Sequence, residues 1–191
     1  MIFYLFIMLL IILLFRSESF VNYEPQLWNN DKGIRLSHNC YQYALNDIDY
    51  NLKKDCDKDK NGCIKLRSRP GHFSKKKIYK DDKKLMTCNL MNKAIKDDNE
   101  KIYNIDFKNK CKNDFYKIAF SVDPGKTYHF YRQDDNGNWS HKDAGSHATN
   151  LDKSGNLIFD PKKADRGIYK KFCDYLCVPE NNIVNTNYFR F

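Results

Sequence analysis

The chain predicts an α+β fold, and three patterns in its 191 residues say so. An apolar stripe with helical period follows residue 39, strand-like segments joined by turn sequences follow residue 116, and a second apolar stripe follows residue 164. No internal repeat interrupts that order, and the length suits one domain.

Residues 2–15 are uninterrupted apolar and are followed by Arg16 and the small residues Ser17 and Ser19. That run is short for a bilayer span and matches a signal-peptide core, with cleavage expected near Ser19. An uncleaved anchor is the alternative, because no Lys or Arg precedes the run. The expected organisation is therefore a signal peptide over 1–19 and a single secreted domain over 20–191. Residues 20–36 read as an extended arm anchored by Trp28. A helix is expected from about Asn39 to Ile48, with Tyr41, Ala44, Leu45 and Ile48 on one face and Ser37 or Asn39 as its cap. Residues 51–80 are turn-rich and charged, and 83–97 carry Leu85, Met86, Leu90, Met91 and Ile95 at a weakly helical spacing. The segments "YKIAFSV", "TYHFYRQ" and "WSHK", separated by "DPGK" and "DDNGN", read as an antiparallel meander, with "NLIF" as a further strand. A closing helix is expected over Ala164 to Leu176, with Ile168, Phe172, Tyr175 and Leu176 on one side and Pro179 beyond its end.

The charge is uneven. Residues 51–112 hold 17 Lys and 2 Arg against 9 Asp and Glu, so this stretch alone accounts for the formal net charge of +9. Such a surface favours an anionic cell surface or glycan, against the plainer reading of a solvated Lys-rich insertion. Nucleic acid is not an expected partner, because few aromatics interleave the basic residues. Seven cysteines in a secreted chain imply disulfides and one thiol left over. Pairing neighbours gives Cys56–Cys63, Cys88–Cys111 and Cys173–Cys177, and leaves Cys40.

Cys40 falls in the first turn of the first helix, where the macrodipole and free backbone N–H groups favour a thiolate. A nucleophilic thiolate needs an imidazole held by a third polar group. Among five histidines, His129 and His141 lie on neighbouring strands of one hairpin. Alternation places His129, Tyr131 and Gln133 on one face of their strand. A hairpin loop with an odd number of residues sets His141 opposite Tyr131, on the face of His129; a two-residue Asn136-Gly137 turn sets it opposite Arg132, on the other face. Cys40 also reads as a disulfide half or a packing residue, and both histidines as sheet residues.

The stretches "NCYQYA", "RPG", "YHFYRQD" and "GNWSHK" resemble, in that order, the papain-like cysteine hydrolases, and the NlpC-type group in particular. The resemblance implies a papain-like core, with an N-terminal helix packed on an antiparallel sheet, a Lys-rich disulfide-bearing insertion over 51–112 and a C-terminal helix. It implies Cys40 as nucleophile, His129 as base and His141 as orienting residue, with Gly71 of the "RPG" turn at the substrate; Tyr131 and Trp139 read most simply as sheet packing, or else as walls of a substrate groove. The Lys-rich insertion after that turn, and His72-Phe73 where the group has Asp-Leu, depart from its pattern. The implied activity is hydrolysis of an amide or acyl bond in a peptide, cell-wall or acyl substrate, by a monomer without cofactor or metal. The rival reading is a disulfide-stapled toxin, virulence or binding protein that keeps a hydrolase-like fold without turnover. "DKDKNGCI" imitates the start of a calcium loop but has Ser68 where the closing Glu belongs. No close pair of cysteines suggests zinc.

Overall fold

The computed structural model describes residues 21–59, 62–74 and 86–180. The expected signal peptide and Asn61 of the calcium-like sequence lie outside the described residues. Within them the fold is α+β: short helices packed on one face of a six-stranded antiparallel sheet. The helices are α1 (Pro25–Asn29), α2 (Lys32–Ser37), α3 (Cys40–Ala44), α4 (Tyr50–Lys58) and α5 (Cys88–Asp98). The strands are β1 (Tyr103–Ile105), β2 (Phe115–Asp123), β3 (Thr127–Gln133), β4 (Trp139–Lys142), β5 (Ala148–Thr149) and β6 (Lys171–Pro179), in the spatial order β1-β6-β2-β3-β4-β5.

Alternation along β2 sorts the side chains. Tyr116, Ile118 and Phe120 join Phe130, Leu176 and Val178 against Tyr41, Ala44, Met91 and Ile95 of the helices, which forms the main core. The opposite face holds a smaller cluster of Ala119, Tyr131, Trp139, Ile158 and Tyr175. Burying Phe120 or Phe130 fully contributes roughly 1.5–3 kcal/mol each, before the entropy of ordering them. The stretch 51–112 is more than a solvated insertion, since Met91, Ile95 and Ile102 are core residues and β1 pairs with β6.

Five expectations are corrected. The closing helix over Ala164 to Leu176 is absent: residues 171–179 form β6, inserted between β1 and β2. Its residues satisfy both periods, but β6 completes hydrogen bonding to strands on either side, which a helix there would forfeit. The neighbour pairing holds for Cys56–Cys63 only; the other bridges are Cys88–Cys173 and Cys111–Cys177, tying α5 and the β1–β2 connection to β6. Cys40 is the free thiol. The arm over 20–36 folds instead into α1 and α2, with Pro25 at the start of α1 and Asp31 accepting the Ile34 N–H to cap α2. The "NLIF" segment makes only isolated bridges through Leu157 and Ile158. The first helix ends early, at Ala44, where Asn46 takes a positive φ of 51°.

Candidate functional site

The start of α3 is built by reciprocal capping. Asn39 accepts from the N–H groups of Tyr41 (3.0 Å) and Gln42 (3.2 Å), while the Gln42 side chain accepts from the Asn39 N–H. The same two side chains hold the next wall of the site: Asn39 donates to the Ser68 carbonyl (2.6 Å) and Gln42 accepts from the Ser68 N–H (3.2 Å). Cys40, the first residue of α3, is thereby fixed beside the segment that carries Arg67 and Arg69. The Cys40 amide is not one of the donors that Asn39 satisfies.

An open cleft of about 500 Å³ meets Cys40, and Arg67, Arg69, Thr127, Tyr128, Asp143 and Tyr169 are among its walls. The thiol itself is only 5% exposed. Burial pushes it up to about 12, against the opposing hydrogen bond that the Phe130 backbone offers its sulfur. A helix of five residues has too small a dipole to reverse this, so the expected stabilisation of the thiolate is outweighed.

The hairpin β3–β4 has the odd loop. Asp134 and Asn138 close it by hydrogen bonds around Asp135, Asn136 and Gly137, and Gly137 takes the positive φ of 79° that such a loop needs. Tyr131 therefore pairs with His141, and the two histidines share a face. His129 Nε2 lies 2.7 Å from His141 Nδ1, and His141 Nε2 lies 2.9 Å from the Leu151 carbonyl oxygen.

That chain fixes both tautomers. A carbonyl only accepts, so His141 carries its proton on Nε2 and presents a lone pair at Nδ1. His129 must then donate through Nε2–H, which leaves the lone pair of its own Nδ1 free. Nδ1 is buried and has no hydrogen-bond partner. Burial is the largest cause holding both imidazoles below their ordinary value, His129 far below and further lowered by His141, so both are neutral at pH 7. The Tyr169 ring stacks on His129 at 4.7 Å and also lines the cleft that reaches Cys40.

Cys40 belongs to the helix-side core with Phe130, whereas His129, the preceding residue of β3, shares the opposite face with Tyr131. The thiol of Cys40, on α3, meets β3 through the backbone of Phe130, the residue after His129, and no hydrogen bond joins Cys40 to His129 Nδ1. The other three expected residues are placed elsewhere. Tyr131 and Trp139 are buried in the smaller core, and neither lines the cleft. Gly71 is buried too, with φ at 83°, and its N–H donates to Asp98 at 2.7 Å. Asp98 also accepts from the N–H groups of Phe73 and Ser74, so the "RPG" turn is a structural junction that sets His72 on the cleft wall.

Three polar residues escaped the sequence reading. Lys142 is fully buried and donates to the carbonyls of Arg35 (2.7 Å), His38 (2.7 Å) and Ala144 (2.6 Å). Burial pulls it down to about 7, but three acceptors match the three protons of the ammonium. Asp143 receives Lys153 at 2.8 Å and the Tyr169 hydroxyl at 3.0 Å. Arg67 is the third. The only sequence signal was position: Lys142 and Asp143 directly follow His141. Among the described residues no three His, Cys, Asp or Glu side chains form a group that could hold a metal ion.

The chain is similar to insoluble matrix shell protein 1 of Ruditapes philippinarum, with 34% identity over 163 residues, 85% of this chain and 93% of that protein. It belongs to the family of that protein. No protein-family profile and no solved structure matches it.

Proposed function

We propose that the protein is a secreted hydrolase that attacks an amide or acyl carbonyl through Cys40, with His129 as base and His141 as the residue that orients it. The observation that carries this reading is the relay Leu151–His141–His129. It aims every proton away from His129 Nδ1 and leaves one unpartnered nitrogen on the residue before Phe130, whose backbone offers the Cys40 sulfur a hydrogen bond. The core is read as papain-like on the order helix cysteine, strand histidine, next-strand histidine. Burial favours a neutral thiol and a neutral imidazole at rest over an ion pair. The thiol proton therefore passes to His129 Nδ1 as sulfur attacks the carbonyl carbon. The imidazolium returns that proton to the leaving amine or alcohol, and the thioester left on Cys40 is hydrolysed by water, again with His129 as base. The Cys40 N–H, at the first position of α3, supplies a donor for the developing oxyanion. Three disulfides suit an oxidising compartment, and a relative named for a shell matrix suits an extracellular one. The +10 stretch over 51–112 suits an anionic surface as the place of action.

A second reading is favoured by the buried thiol and by that relative's name: a matrix or binding protein that keeps the fold without turnover. Acyl-enzyme trapping separates the two. The purified protein is incubated with a panel of peptide and thioester substrates and quenched in acid, and the mass of the Cys40 peptide is measured. A hydrolase yields turnover and an acyl adduct on Cys40, both abolished in Cys40→Ala and His129→Ala, with His141→Ala milder. Turnover that survives Cys40→Ala, or no turnover and no adduct across the panel, removes the hydrolase reading.

A further inference from the structure

We infer that the cleft beside Cys40 is a carboxylate receptor, so that its substrate is an amide or acyl compound carrying a carboxylate near the reacting bond. The inference rests on the hydrolase reading for what happens to that substrate, but the receptor itself is read from Arg67.

Arg67 is half-buried and its guanidinium is aimed. Its Nε donates to the Leu36 carbonyl at 2.9 Å, which sets the plane of the group. The Nη2 end of the guanidinium abuts Gly145: a Cβ there would lie 2.7 Å from Nη2, 3.7 Å from Cζ and 3.3 Å from Leu36. A side chain at position 145 would push the guanidinium away from this place. Among the described residues Arg67 has no carboxylate partner and no hydrogen bond from Nη1 or Nη2, and it lines the cleft that contains Cys40.

Most charges in the wall of the cleft are positive. Lys65 and Arg69 line it as well. The acid in the wall, Asp143, is taken by Lys153 and Tyr169. What remains is a planar, half-desolvated fork whose two terminal nitrogens make no hydrogen bond among the described residues, with Lys65 beside it in the wall. That geometry matches the two oxygens of a carboxylate, and partial burial strengthens the charge-assisted pair over one on an open surface.

The test uses the full chain carrying Cys40→Ala, which cannot turn over a bound peptide, and fluorescein-labelled short peptides read by anisotropy. One peptide has a central Glu and an amidated end, a second has Gln at that place, and a third has Gln with a free C-terminal carboxylate. A carboxylate peptide is expected to bind about tenfold more tightly than the Gln amide. Whichever carboxylate peptide shows the preference identifies its source as a side chain or a chain terminus. Arg67→Gln should reduce the preference to within about twofold, and so should Gly145→Ala, which displaces the guanidinium without removing it. Lys54→Gln, an exposed change on α4 outside the cleft, should leave it intact. Thermal melts verify that each variant is folded. Equal binding of the three peptides, or a preference that survives both Arg67→Gln and Gly145→Ala, overturns the inference. Turnover by the wild-type chain is measured in parallel. Turnover without a carboxylate preference removes this inference alone, and a preference without turnover removes the hydrolase reading alone.

Discussion

Alkylation of Cys40 offers a direct measure of how the fold treats its free thiol. The thiolate is the species that reacts with iodoacetamide, and burial lifts the thiol from an ordinary 9.0 to about 12. At pH 8 the folded chain then holds about one thiolate in 10,000 molecules, against about one in ten for the unfolded chain, a difference of roughly a thousandfold. Steric exclusion of the reagent from a thiol that is 5% exposed adds to that factor. The assay mixes the non-reduced protein with iodoacetamide at pH 8, with and without urea, and follows modification of the Cys40 peptide by mass spectrometry. The other six cysteines are bridged, so they contribute no signal. The native rate should be about a thousandfold below the unfolded rate, and should rise about tenfold per pH unit up to pH 10. A native rate equal to or above the unfolded one would show a preformed thiolate, and would refute both the dominance of burial and the neutral resting pair.

Three further outcomes follow from named interactions. In the chain-entropy account, Cys88→Ala with Cys173→Ala opens a loop of about 27 residues, because Cys111–Cys177 stays closed, and should cost about 3.5 kcal/mol in urea unfolding; Cys56→Ala with Cys63→Ala opens one of 7 and should cost about 2.5, and a smaller cost for the first pair than for the second would contradict the connectivity. His38 is held at about 4 by burial, below its unfolded 6.5, so the unfolded chain takes up its proton first. Stability from this group is complete above pH 6.5 and is lost as pH falls from 6.5 to about 4, by about 1.4 kcal/mol per pH unit, relative to His38→Gln in urea titrations over that window. His129 and His141 act in the same direction. Lys142→Met should cost about 3 kcal/mol or more, because it strands three buried carbonyls; a thermal melt unchanged from wild type would show that those acceptors find other donors.

The sheet was legible in the sequence where two-residue alternation and turn chemistry agreed. β2, β3 and β4 fall on the three segments read as a meander, and the choice between an odd loop and an Asn-Gly turn was correctly posed as deciding the histidine register. β6 was misread because Ile168, Phe172, Tyr175 and Leu176 also satisfy a helical spacing, and only its place between two strands resolves the ambiguity. The same insertion explains the disulfides. Cys173 and Cys177 point away from each other along a strand and toward Cys88 and Cys111, partners that no spacing rule could find. At the site, the contact between His129 and His141 was legible, but the pull of burial on the Cys40 thiol was not. Arg67 was hidden for a different reason. In the sequence it is one cation of a Lys-rich stretch, and only Leu36 and Gly145, distant in the chain, give it direction.

The position of β6 also dictates when this protein can be made whole. The sheet's second strand in spatial order is its last in synthesis, so β1 and β2 must wait, unjoined, until residues 171–179 have left the ribosome. Until then two strand edges are open and Cys88 and Cys111 lack their partners. Closure comes late and joins residues far apart in the chain, which slows folding relative to a sheet built from neighbouring hairpins. A chain stopped before residue 171 would carry the helix cysteine, the histidine pair and the cleft arginine in full, and would still lack the strand that joins the two parts of its sheet.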